Sequence, residues 1–493
     1  MVAKALTVRD KVAHLHRRLG FGATLAELDA GEALGVEGTI TRFLRWEAQP
    51  AVFDVHPYEF FWKTRTKEEA EVGSWRTRPW WALAMMTTGR PLQEKLAVFW
   101  HGHFAASEHK VEHGAAMLDY LGTLRRNAGG NFPTLLTAMA KNPAMMRYLD
   151  LDRAVRGHPN ENFAREVMEL FTMGIGHYSE TDVREVSRCL TGWTTVDFWW
   201  DAGPENDTRL KTLLREKRPA VAFAYMEAMR DDAPKTVLGQ TKDWSGDEVL
   251  AMLALRPETA EFIARKMWRY FAGGEPDAAT LTAIAGTFLK TKGNIRATLG
   301  AVVRHPQFWS EAVVREAVKS PADLVLGVAR QQGLGTSLLS MREKDASPTT
   351  QIPQRVLDVT GELGYRMEQM GQSLLYPPDV SGWKGGRDWL SPAAMGERMK
   401  WSGTMLWNDK GPDVGTTNVL EQVKALAPAD VPALVGAMFA VFDVPARPTD
   451  TAMVTKLVTD RGGLAVLGDN NKFADALHHT MRLLAASPVM SVC

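Results

Sequence analysis

Along most of the chain apolar residues return every three or four positions, and no series of alternating segments joined by hairpin turns interrupts them. The pattern predicts an all-α fold, a large multi-helix domain with long irregular loops and little or no sheet. Val8, Val12, Leu15 and Leu19 mark a first helix over 7–19, which Gly20-Phe21-Gly22 stops before Thr24 opens the next. The same reading predicts helices over about 36–46, 56–70, 76–88, 113–127, 132–141, 257–273, 277–290, 294–304, 321–333 and 392–407. Pro91 fits the first turn of a longer helix reaching His109. Residues 194–245 are the least regular part and read as a lid or inserted subdomain, and 335–352 reads as a surface loop. The expected division is a main helical domain over 1–410 and a small C-terminal helical bundle over 411–493, packed on it.

The 493 residues leave ample material for a core, and 58 basic residues balance 58 acidic ones. A chain without net charge has no field to draw in nucleic acid or an anionic membrane, so nucleic acid is not an expected partner. Nor does any apolar run approach the ~18 residues of a membrane span. Lys4, Arg9, Asp10 and Lys11 break up the first residues, and Glu27, Asp29 and Glu32 follow Arg17-Arg18 where an export signal needs an uncharged stretch. The default expectation is a cytoplasmic protein. Cys189 and Cys493 are too far apart for a disulfide framework or a zinc spacing. Sixteen tryptophans are an excess, which suits either core filling or stacking surfaces for sugars and peptides.

Candidate chemistry concentrates between Pro159 and Trp193. Within a helix expected over 161–173, Asn162, Glu166, Glu169 and Met173 follow one another along one side, and carboxylates one turn apart can share a cation or a proton. Glu161, Arg165 and Glu169 also form a ladder that an ordinary solvated helix would carry. Gly174 and Gly176 end the helix, and Ser179 with Asp182 caps the next; a compact turn would fold His177 and Glu180 back toward the carboxylates.

Two more constellations could complete a site. Glu94, His101 and Glu108 recur every seven residues on the Pro91 helix, whereas His101 and His103 lie about 200° apart and share a metal only if the helix breaks at Gly102. The loop Tyr376 to Leu390 is dense in proline and glycine and carries Asp379, Trp383, Arg387 and Trp389, which either close over a pocket or plug the core. The candidate catalytic residues are therefore Glu166, Glu169, His101 and Asp379. Arg165, Asn162, Trp383, Trp389 and Arg387 are candidates for holding substrate. His101, His103, Glu166 and Glu169 are the candidate ligands for a divalent metal, with zinc, manganese or iron suiting such a mixed set. A metal-free version uses Glu166 or Glu169 as acid or base on a glycan held by Trp383 and Trp389.

These landmarks appear in a known order. His16-Arg17-Arg18-Leu19-Gly20-Phe21-Gly22, Phe99-Trp100-His101-Gly102-His103-Phe104, Asn160 to Glu166 through Gly192-Trp193, Lys235 to Gly239, Lys319-Ser320-Pro321, and Pro377-Pro378-Asp379 through Trp389 together resemble the bacterial family called domain of unknown function 1800. The resemblance implies a mostly helical fold. It also implies, for many relatives, export and a neighbouring gene product of domain of unknown function 1501, a family resembling alkaline-phosphatase-type hydrolases. This chain lacks the export signal and has Gly102 where relatives often carry asparagine. Two functions follow: an enzyme with a composite His/carboxylate site, hydrolytic or redox and metal-dependent or not, or a non-catalytic helical scaffold or maturation partner of a hydrolase-like protein.

Overall fold

The computed structural model describes residues 6–60, 74–197, 221–346, 350–404, 407–408, 411–412 and 417–493. The fold is all-α, with three two-stranded antiparallel ribbons among those residues: Trp193–Asp197 with Val221–Tyr225, Lys235–Val237 with Gln240–Lys242, and Trp407–Asn408 with Gly411–Pro412. Helix starts follow local chemistry. Thr7 with Asp10, Thr24 with Glu27, Ser179 with Asp182, Ser245 with Glu248 and Ser320 with Asp323 each form a reciprocal capping box. Pro91, Pro257 and Pro321 occupy the first helical turn, where a missing N–H costs nothing.

The first helix is Val8–Leu19, and the second runs Leu25–Leu44 with a break at Gly35. Of the helix expected over 56–70, Pro57–Phe60 forms a single 3₁₀ turn and the remainder lies outside the described residues, as does 198–220 of the expected lid. The next long helices are Ser74–Thr87, Pro91–His103 and Gly114–Asn127. The Pro91 helix ends at His103, not His109. Phe104 leaves helical geometry and a short helix restarts at Glu108–Val111, so Glu108 does not extend the Glu94–His101 stripe.

The expected surface loop over 335–352 is also corrected: Leu334–Ser340 is a helix with Leu334, Gly335 and Leu338 buried. A Cβ on Gly335 would lie 2.6 Å from Thr87 and 2.9 Å from Met86, so glycine permits the close approach of this helix to Ser74–Thr87. Beyond it Gln354–Gln369 leads to Gln372, whose Oε1 accepts the Ala322 N–H at 2.9 Å and ties the later loop to the start of Pro321–Gln331.

The C-terminal helices Val419–Ala425, Val431–Val441, Pro448–Asp460 and Asn470–Ala486 contribute to the same continuous apolar core as the earlier ones. Arg17 Nη1 reaches Asp443 at 2.6 Å, and the Cys493 N–H donates to the Ala317 carbonyl at 2.8 Å. No helix of the described residues is long and apolar enough to cross a membrane.

Candidate functional site

The motif segment is not one regular helix. Glu161–Glu166 is α-helical and Val167–Phe171 forms a π turn, in which the Thr172 hydroxyl donates to the Val167 carbonyl at 2.6 Å and the Gly174 N–H to the Met168 carbonyl at 3.1 Å. A π turn inserts one residue, so the single polar face expected at α-helical spacing is rotated between Glu166 and Met173. Met173 is buried. Asn160 caps the start and donates Nδ2 to the Asp150 carbonyl at 2.9 Å, while Asn162 Nδ2 lies 3.5 Å from the Leu149 carbonyl. Asn162 thus anchors backbone from an exposed position.

Gly174 and Gly176, both at positive φ, turn the chain sharply. The turn brings Tyr178 back to donate its hydroxyl to Glu169 Oε2 at 2.7 Å, and brings Glu180 to a two-pronged pair with Arg165 at 2.7 and 2.7 Å. Arg165 faces Glu161 only at 3.8 Å. The ladder expected within one helix is therefore mainly a clamp between consecutive helices, and it occupies Arg165. Burial and the Glu169 bond hold the Tyr178 phenol above its usual pKa.

Glu166 is the exception. Half-buried, it makes no hydrogen bond or ion pair among the described residues, and burial, then the Glu169 charge, push its carboxyl above the usual range. Tyr148 lies within electrostatic reach of Asp379 and Glu166, which with burial raise its phenol. Burial is the larger cause, and the two carboxylates, some 210 positions apart, add to it; sequence reading had missed Tyr148. The only signal for it was its place before Asp150 at the loop that delivers the motif helix.

Asp379 arrives on a loop seated on the histidine helix. The Glu108 N–H donates to the Leu375 carbonyl at 3.0 Å, and the Leu375 N–H donates to His101 Nε2 at 2.9 Å. A Cβ on Gly382, at φ +78°, would fall 2.3 Å from the Gly102 carbonyl oxygen, and Trp383 packs edge-on against His101 at 5.0 Å. Asp379 is exposed and its Oδ1 accepts from the Ser381 N–H at 2.8 Å and from the Ser381 hydroxyl. Trp389 is 8% exposed and lies under Gly371, so it plugs the core and offers no stacking face. Arg387 is exposed.

The histidines sit inside. His101 is fully buried; because Nε2 accepts from Leu375, the proton sits on Nδ1, which donates to the Tyr120 hydroxyl at 2.8 Å, and that hydroxyl donates to the Phe104 carbonyl at 2.7 Å. Burial lowers its pKa to about 3. His103 points to the other side, with Nε2 3.1 Å from the Phe171 carbonyl and Nδ1 3.0 Å from Lys266 Nζ. Burial, and then the Lys266 charge, hold it neutral. Both rings have their nitrogens committed to protein partners. Among the described residues no group of three or more His, Cys, Asp or Glu could hold a metal ion, so the donor set of His101, His103, Glu166 and Glu169 does not fit one. Among the described residues no hydrogen bond or ion pair joins either histidine to either glutamate; Tyr178 bonds Glu169, and the charges of Glu169 and Glu166 act on one another.

Comparison with known proteins adds one match. A family model described as "Protein of unknown function (DUF1800)" covers residues 14–489. No curated protein and no solved structure matches the chain.

Proposed function

The chain belongs to the DUF1800 family, and on that premise we propose that it is a hydrolase using carboxylates as acid and base, with a glycan as the class of substrate. The observation that carries this reading is Glu166: a half-buried carboxyl without a partner, its proton held more tightly than usual, next to a phenol that senses a second carboxylate. A carboxyl with a raised pKa suits protonation of a leaving oxygen, and a second, more exposed carboxyl, Asp379, is the base that activates water in this reading. Tyr148, whose phenol feels both charges, is the group that would bind a substrate hydroxyl. The partly exposed Trp383 offers an aromatic face at the edge for a sugar ring. His101 acts on this site only by position, since it pins the Leu375 end of the Asp379 loop.

The test is turnover of chromogenic glycosides and esters by the purified chain. Glu166→Gln is expected to lower kcat by about 10²–10⁴ without unfolding the protein, and Tyr148→Phe to raise KM. Full activity in Glu166→Gln would refute the assignment. A chain acting only as scaffold or maturation partner would turn over none of the substrates, and Glu166→Gln would leave its partner binding unchanged.

A further inference from the structure

An ammonium withdrawn from water needs a counter-charge. Lys95 finds Asp323, Lys141 finds Asp247 at 2.6 Å, and the fully buried Lys235 finds Asp243 at 2.7 Å. Lys266, on the helix Pro257–Phe271, is only partly exposed and pairs with no carboxylate among the described residues. Its Nζ lies 3.0 Å from His103 Nδ1 and 5.0 Å from the centre of the Phe262 ring. Glu275, just past the end of that helix, is held by Arg269 at 2.5 Å and faces Arg265 at 3.7 Å.

His103 cannot supply the missing charge. Its Nε2 faces the Phe171 carbonyl at 3.1 Å and must carry the proton, so Nδ1 turns a lone pair toward the Lys266 nitrogen. The ring is buried and stays neutral. It accepts one N–H and so holds the amine without favouring its charged form over water. Desolvation, then the like charge of Arg269 one turn along the helix, lowers the Lys266 pKa to about 8. Against an amine at the ordinary value, that leaves about 200 times more free base at pH 7.5. A desolvated lysine beside another cation is the kind that attacks carbonyl carbon, and solvent still reaches this one.

We propose that Lys266 is a covalent modification site for small aldehydes, its amine held by His103 Nδ1 and left without a counter-charge. The lysine nitrogen attacks the carbonyl carbon, the π pair passes to oxygen, and both amine protons leave with that oxygen as water, so that a C=N bond replaces the C=O bond. No oxidant or reductant takes part, and hydrolysis reverses the step. The site stands apart from the Glu166 reading and does not depend on it.

Competitive labelling of the full chain with trace acetaldehyde tests this, with cyanoborohydride present to reduce the imine to an ethyl amine and peptide mass spectrometry to read each lysine. At pH 7.5 Lys266 is expected to label about tenfold or more faster than Lys456, whose side chain is 78% exposed. The rate at Lys266 should reach half its maximum near pH 8. Phe262→Glu places a carboxylate one turn before the amine and is expected to slow labelling at pH 7.5 by about tenfold. Phe262→Gln, of the same size without the charge, should stay within about threefold of wild type. Lys266 labelling no faster than Lys456, a half-maximum near pH 10, or equal slowing in the two Phe262 variants would each overturn the proposal.

Discussion

Acidification should unfold this protein well before its carboxylates protonate, because several histidines are buried neutral. His14 packs between Phe308 at 4.7 Å and Trp309 at 5.8 Å, and burial, then Arg18 and Arg17, lower its pKa to about 2. His16 falls to about 4 through burial, with Glu27 opposing and Arg330 and Arg42 adding to the fall. His101 falls to about 3 by burial alone, and His103 is held well below its usual value by burial and then by Lys266. In each case the folded pKa lies below the unfolded value near 6.5, so protons go first to the unfolded chain. The stability is complete above pH 6.5 and is lost as pH falls from there toward the folded values. At pH 5 His14, His16 and His101 then cost about 2 kcal/mol each, about 6 kcal/mol together, and His103 adds in the same direction. That is comparable to the whole stability of a typical domain, about 5–15 kcal/mol. His56, His113 and His478 shift the same way and add to it. Urea unfolding followed by tryptophan fluorescence from pH 7.5 to 4.5 should therefore show a slope of about 4 kcal/mol per pH unit or steeper below pH 6. His14→Phe, which removes one of the four, should reduce that slope by about 1.4 kcal/mol per unit. A slope below one proton between pH 6 and 5, or an unchanged slope in His14→Phe, would refute the reasoning.

Three further outcomes follow from the site. His101→Ala should cost about 2–4 kcal/mol through a cavity and an unsatisfied Leu375 N–H, speed hydrogen exchange at the Leu375 amide, and leave the midpoint equally indifferent to added zinc; a zinc-dependent midpoint in wild type that vanishes in the variant would restore the metal reading. Gly382→Ala should displace the Asp379 loop, since its Cβ would meet the Gly102 carbonyl at 2.3 Å, and so lower activity further than a drop of about 1–2 kcal/mol in stability explains; unchanged activity would count against the loop's role. Glu166→Gln should stabilise at pH 7 and not at pH 3. The folded pKa of Glu166 lies above the unfolded one, so its contribution is present at low pH and is lost as pH rises through the folded pKa. The gain from relieving Glu169 is about 0.2–0.5 kcal/mol, readable as a small rise in midpoint.

Where local rules decide, the sequence was a good guide. The helices at Val8–Leu19, Gly114–Asn127 and Pro257–Phe271 follow from apolar period, caps and N-terminal prolines within a few residues of themselves. Long-range partners were invisible. Nothing near His101 announces that Leu375, 274 positions away, takes its Nε2, and an interior histidine reads like a ligand until both nitrogens are accounted for. The π turn at Val167–Phe171 depends on one threonine hydroxyl capturing a carbonyl, which no 3.6-residue pattern can signal. Nor does the Arg17-Arg18 pair announce its partners, Asp443 and the carbonyls of Ala272 and Val313, which lie hundreds of positions along the chain. Trp389 had the right letters for a stacking platform and is buried, with Gly371 against its ring.

A carbon-13 NMR titration of the Glu166 carboxyl, assigned by its loss in Glu166→Gln, tests the acid/base assignment without needing a substrate. A group placed as described titrates above the 4.5 of an ordinary glutamate and moves down in Glu169→Gln, which removes the neighbouring charge. A titration at or below 4.5, unmoved by Glu169→Gln, is that of an ordinary solvated carboxylate and would contradict the central claim.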